Sequence, residues 1–301
     1  MERKISLIGS FATDWIRYSD YIYKTNEAGK EYIIPTEDAA FSMYNPFDVA
    51  EDLLLDLLKI GDEALHSPKE KLKKMVLIFA KKYGLLGLMS ASVYNRDILG
   101  EDKVLFIENN HIGEEKIMDG ECYLSLFTPF VEDGDIMVTE YKNRMYLTKK
   151  EDSPIFYGKR PLVMDLIFSR FYSEELGWII NFATMLVSHF NQLLIYKNAS
   201  NHLTESVTIL ADKFHAEKIG FTINQLEKTN ISWQFDSLKT TIETIYAFAV
   251  TDEKIFLNRC EHCRSFFIAK SDREKYCSPT CRNRFNVKKS REKKLSKEKN
   301  D

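Results

Sequence analysis

Four cysteines near the end of the chain have the types and spacing for chemistry. Cys260-Glu261-His262-Cys263 is a C-x2-C pair, and Cys277-Ser278-Pro279-Thr280-Cys281, after thirteen intervening residues, is a C-x3-C pair. The first spacing suits a tight knuckle. The second suits the first turn of a helix, where residues four apart share a face. Four thiolates aimed at one centre make a closed tetrahedral Zn²⁺ site that leaves no position for water, so its role is structural rather than catalytic. The expected ligands are Cys260, Cys263, Cys277 and Cys281. His262, between the first two thiols, is read as a solvated loop residue. Two disulfides would require an oxidising compartment, and a redox C-x2-C would sit in a βαβ pattern that is absent here. A metal so held contributes about 10–16 kcal/mol to the folding of a small unit.

The elements around the ligands follow. A short hairpin containing Phe266-Phe267-Ile268 precedes a helix that Ser278 can cap and Pro279 can open. The run Cys260-x2-Cys263-x2-Phe266, then Lys275-Tyr276-Cys277-Ser278-x2-Cys281-x-Asn283-Arg284, resembles the CGNR-type zinc finger of bacterial proteins. Arg282 stands where that signature has glycine. The resemblance covers about residues 260–290. It implies a finger that closes an α-helical or α+β N-terminal domain, in a DNA-binding transcriptional regulator.

The formal net charge of −3 hides a division. Residues 254–301 carry 15 Lys/Arg and 6 Asp/Glu, whereas residues 1–253 carry 27 and 39. A basic end on an acidic body is the footprint of a module that binds polyanions; a solvated terminal helix is the plainer alternative. Arg282, Asn283 and Arg284 adjoin the ligands, and Lys288, Lys289 and Arg291 continue the basic helix. These six are the candidate nucleic-acid contacts. Few apolar residues follow Val287, so the helix cannot bury itself and gains order by lying along a phosphate backbone or in a major groove.

Length and a hydrophobic content of 44% suit one large folded domain plus a small one. We therefore expect an α+β chain. Residues 1–253 would form a mainly helical body with short antiparallel strands, and residues 254–301 a treble-clef-like four-cysteine finger. Within the body, residues 1–46 are rich in aromatics and read as irregular or hairpin structure with a turn at Glu27-Ala28-Gly29-Lys30. Asp48 to about Leu65 reads as a helix. Ser67 and Pro68 read as N-cap and first residue of the next one, which Tyr83-Gly84-Leu85-Leu86-Gly87-Leu88 ends, with Gly84 past its last turn.

Val104–Ile107, Tyr123–Phe127 and Ile136–Thr139 are strand candidates, and Asn143-Arg144 is a hairpin turn. Glu132, Asp133 and Asp135 lack the spacing of a calcium loop. Apolar residues at i, i+3 and i+4 from Leu176 to Leu194 predict a long core helix, interrupted by too many polar residues for a membrane span. His189 beside that stripe reads as a hydrogen-bonded core histidine. A helix over 203–215, strands at 219–223 and 231–235, and a helix capped by Asp236 or Ser237 complete the body.

There is no P-loop, dinucleotide-binding glycine pattern, G-x-S-x-G or H-E-x-x-H, and no catalytic residues are nominated. The start, Met1 to Ile5, adjoins no apolar stretch of signal type, and Cys122 reads as a small buried hydrophobe; together these lead to an expectation of a reducing cytoplasm. The functional expectation is a zinc-binding, DNA-binding transcriptional regulator acting on double-stranded DNA, whose N-terminal domain senses a signal or forms a homodimer. An RNA- or protein-binding module with a purely structural zinc is the alternative.

Overall fold

The computed structural model describes residues 10–11, 14–26, 28–88, 90–94, 103–108, 117–119, 136–141, 144–149, 155–156, 172–199, 219–225, 229–235, 237–252, 256–271 and 273–298. The body begins with β1 (Ser10–Phe11), β2 (Trp15–Tyr18), β3 (Tyr21–Thr25), β4 (Glu31–Pro35) and β5 (Phe41–Tyr44). Strands β3 and β4 form a hairpin nested inside the antiparallel pair β2–β5. Its turn is where the sequence placed it: Gly29 adopts φ +75°, and the Asn26 side chain accepts from Lys30 N–H at 2.9 Å. The aromatics of this segment are core. Trp15, Tyr18, Tyr21 and Tyr32 are buried.

Helices α1 (Ala50–Ala64) and α2 (Lys69–Tyr83) follow. The second starts differently from expectation. Pro68 is itself the N-cap, in extended conformation, and no side chain caps the helix. The Ser67 hydroxyl donates back to Glu63 instead and accepts from Lys71 Nζ, so a carboxylate–ammonium pair takes the group that would have capped.

The middle of the body is antiparallel: β6 (Ser90–Tyr94), β7 (Lys103–Glu108) and β8 (Ile117–Asp119) form one sheet. Strands β9 (Ile136–Tyr141), β10 (Arg144–Lys149) and β11 (Ile155–Phe156) form another. Arg144 is already in the ladder, opposite Tyr141, so it is a strand residue and not part of the expected Asn143-Arg144 turn. The strand expected at Tyr123–Phe127, the acidic residues 132–135, Cys122 and the helix expected at 203–215 lie outside the described residues.

Next come β12 (Glu174–Glu175), which pairs with β4, and helix α3 (Leu176–Ala199). Its face of Ile179, Phe182, Ala183, Leu186, Val187 and Phe190 is buried. It crosses α1 at backbone distance, because Gly61 faces the Ala183 carbonyl, and a Cβ there would lie 2.2 Å from its oxygen. By length and composition α3 could span a bilayer, but here its apolar face is the centre of the core. His189 takes its expected role: its Nδ1 lies 2.7 Å from the Tyr246 hydroxyl, and burial holds it below the usual imidazole range. Strands β13 (Ile219–Gln225) and β14 (Thr229–Phe235) form a hairpin, with β1 parallel to β14. Helix α4 (Leu238–Thr251) then starts at Ser237, whose hydroxyl accepts from Thr240 N–H.

One buried carboxylate ties the body together. Glu174 is fully buried and accepts from Leu86 N–H at 2.8 Å, Leu88 N–H at 2.9 Å and the Tyr172 hydroxyl at 2.6 Å. The two N–H donors come from the Gly84–Leu88 loop that ends α2. Gly87, at φ +70°, also packs its Cα against the Trp15 ring, and the Trp15 indole N–H donates to the Leu85 carbonyl at 2.9 Å. The glycine-punctuated loop is therefore a cradle for one tryptophan and one carboxylate. Burial pushes the Glu174 carboxyl up despite these donors.

Two outcomes test this packing. An exposed helical Gly→Ala gains about 1 kcal/mol of propensity, but Gly61→Ala is expected to lower stability, because the crossing leaves no room. Glu174→Gln presents an amide NH₂ to groups that are themselves donors, and should cost about 1–3 kcal/mol in urea denaturation. The native carboxyl holds its proton to higher pH when folded than when unfolded. The wild type therefore loses stability as pH rises from the ordinary carboxylate range toward that raised value, and the Gln variant lacks this slope.

Candidate metal centre

Strands β15 (Phe256–Arg259) and β16 (Phe266–Ala269) pair antiparallel, and the first two cysteines occupy the turn between them. The Cys260 N–H donates to the Ser265 carbonyl and the Arg264 N–H to the Cys260 carbonyl, both at 2.9 Å. Reversing the chain this tightly places Arg264 at φ +65°. A strap then leads to the second pair: Asn258 Nδ2 donates to the Glu274 carbonyl at 3.1 Å, and Glu261 N–H to the Lys275 carbonyl at 3.0 Å. Helix α5 (Pro279–Glu298) opens as expected, with the Ser278 hydroxyl accepting from Cys281 N–H at 3.2 Å.

The four sulfurs converge. All lie within 4.8 Å of one another, with Cys263–Cys277 at 3.6 Å and Cys277–Cys281 at 3.5 Å. A tetrahedron with Zn–S bonds of about 2.3 Å has sulfur–sulfur edges of about 3.8 Å. The donor set fits one tetrahedral Zn²⁺, and a metal of this kind is what the cluster is built to chelate. Cys260 is buried, Cys281 half-buried, and Cys263 and Cys277 are exposed. Burial alone would raise the Cys263 thiol, but hydrogen bonds from Ser265, Cys260 and Cys277 outweigh it and bring it down to about 6. The Cys277 thiol is pushed up to about 12 by burial and by sharing with Cys281, Cys263 and Cys260. Four clustered thiols cannot all ionise without a cation among them, so metal binding expels protons. Cys281, on the first turn of α5, has the positive end of the helix dipole beside it.

The chain matches no protein-family model, no curated protein and no solved structure.

The hairpin that carries the knuckle has two working faces. Leu257, Phe266 and Ile268 enter the core of the body, whereas Phe256, Phe267 and Ala269 pack around Cys260, Tyr276 and Cys281. Arg259 fastens the body side. Its guanidinium pairs with Asp62 on α1, donates to Asn191 on α3 at 3.3 Å and to the Arg264 carbonyl at 2.8 Å, and lies over the Phe266 ring. One side chain thus joins two body helices to the left-handed residue of the knuckle. Nothing in residue spacing announces this, because Asp62 is 197 positions away.

Arg282, Asn283, Arg284, Lys288, Lys289 and Arg291 are all exposed on α5. A groove of about 460 Å³ runs between that helix and the knuckle, lined by His262, Asn283, Arg284, Val287, Lys288, Arg291 and Glu292. Four of the six sequence-predicted contacts line it. Arg282 and Lys289 fall on another side of the helix. His262 is a wall of the groove and stands outside the sulfur cluster. Val287 and Glu292 also line the groove; an apolar and an acidic residue in a basic run carry no sequence signal.

Cys277→Ser should abolish the one-zinc stoichiometry measured by elemental analysis, while Cys122→Ser leaves it intact. Cobalt substitution should give the intense visible absorption of tetrahedral thiolate coordination. Arg264→Gly relieves a left-handed residue worth about 1–2 kcal/mol, and is expected to raise zinc affinity in chelator competition about tenfold without disturbing the Arg259 contact, which is to the backbone.

Proposed function

We propose that this chain is a zinc-dependent double-stranded DNA-binding protein that acts as a transcriptional regulator. Basic helix α5 is its nucleic-acid element, and the body serves as a sensing or dimerising domain. The observation that carries this reading is the placement of α5. Cys281 lies in its first turn and Cys277 just before its Ser278 cap, rather than both on the helix, so a metal held by the four sulfurs grips the start of the helix and fixes its direction. From Asn286 to Glu292 every side chain is exposed. Among the described residues, the ion pair made by these side chains is Lys288–Glu292 within the helix, at 3.9 Å, and none reaches the acidic body. Exposed cationic side chains that make no ion pair with the described acids of the body suit a polyanion.

Dimensions support the same partner. From Asn286 to its end at Glu298 the helix extends about 20 Å, and B-DNA's major groove, about 12 Å wide, admits a helix. The resemblance of Cys260–Arg284 to CGNR-type fingers points the same way. Purified zinc-loaded protein titrated against duplex DNA at two salt concentrations tests the reading. With about six phosphate contacts, log K should fall against log salt with a slope of about −5. Cys277→Ser should lose this binding. Duplex binding that is absent, or indifferent to salt, removes the proposal and leaves a zinc-stapled module for another partner.

A further inference from the structure

The groove beside the knuckle is composed unlike a surface that only neutralises phosphates. At about 100° per residue, Asn283, Arg284, Val287, Lys288 and Arg291 fall within about 140° of the helix circumference, and this face forms the groove with His262. Arg282 and Lys289 lie on the opposite side. The groove face mixes functions: an amide at Asn283, a half-exposed apolar side chain at Val287, two guanidiniums, an ammonium and the carboxylate of Glu292. A phosphate-tracking face has no use for an apolar residue at its middle, and a carboxylate there opposes phosphate. Base edges in the major groove offer the matching partners. An amide pairs with adenine N6 and N7, a guanidinium with guanine O6 and N7, and an apolar group packs on the thymine methyl.

The geometry points to direct base readout by this face. Asn283 recognises adenine, Val287 packs on a thymine methyl, and Arg284 and Arg291 take guanine or the flanking phosphates. From residue 283 to 291 is about 12 Å along the helix, which at about 3.4 Å per base spans three to four base pairs. His262, fixed by the knuckle, faces the strand at the groove's edge. This inference rests on the DNA-binding reading and adds that binding is sequence-selective through one face of α5. Lys289 and Arg282, on the opposite face, supply affinity without selectivity.

Selection of duplexes from a randomised pool by the zinc-loaded full chain gives the preferred site. Replacing thymine by uracil there removes one methyl and should weaken wild-type binding about fourfold. Replacing adenine by 7-deazaadenine removes one acceptor and should weaken it about fivefold. Each loss should disappear in the matching variant, Val287→Ser for the methyl and Asn283→Ala for the acceptor, because the contact is already gone. Both positions are exposed, and zinc content reports that the variants are folded. Lys289→Ala should reduce the salt slope by about 0.9 and leave the preferred sequence unchanged.

Salt-sensitive duplex binding without a preferred sequence overturns base readout and spares the DNA-binding reading. A preference that survives both variants unchanged, or single-stranded RNA bound in place of the duplex, overturns it as well. If no salt-sensitive duplex binding occurs at all, the DNA-binding reading has failed first, and this inference with it.

Discussion

The β15–β16 hairpin must bury both of its faces, and the arrangement of the molecule follows from that constraint. A two-stranded ribbon of four-residue strands is marginal by itself in water. Here alternate residues go to opposite sides, as the period of a strand demands. Leu257, Phe266 and Ile268 complete the body's core, and Phe256, Phe267 and Ala269 complete the wall of the sulfur cluster. A register slip by one residue would exchange the two sets and leave neither side packed. Metal site and body are therefore neighbours across one layer of backbone, and Arg259 locks them with contacts to α1, α3 and the knuckle carbonyl.

This construction gives the metal a mechanical role beyond stabilising a small unit. Two of the four sulfurs belong to the hairpin turn, one to the residue before the α5 cap and one to the first turn of α5. Zn²⁺ at that position fixes the exit direction of the helix, which among the described residues is also steadied by the contact of Phe285 with Tyr276. The helix is polar nearly all round and would not be stable without an anchored end. Its exposed charge is thus presented at a defined angle to the body.

In the body, the same economy appears around Glu174. The Gly84–Leu88 loop ends one helix, receives the Trp15 indole and turns its N–H groups onto a carboxylate from the distant strand β12. The loop was legible as a helix stop because glycine tolerates the backbone it adopts there. Its second role was not, since the carboxylate is 86–88 positions away. The cap expected at Ser67 failed for a related reason. A local propensity for capping was outcompeted by Glu63 and Lys71, which pack beside it only once α1 and α2 are in place.

Local chemistry was enough to settle the ligand set, the knuckle and the helix beside it, the turn around Gly29, the long core helix and the charge division between body and tail. Each rests on spacing or on composition over a short stretch, which is where periodicity and metal-ligand geometry act. Tertiary structure alone decided which side of each strand faces the metal, that Arg259 reaches Asp62 and Asn191, and that Val287, Glu292 and His262 share a groove with the basic residues of α5. Those choices depend on elements far apart in the chain arriving together, and no single segment contains the distances involved.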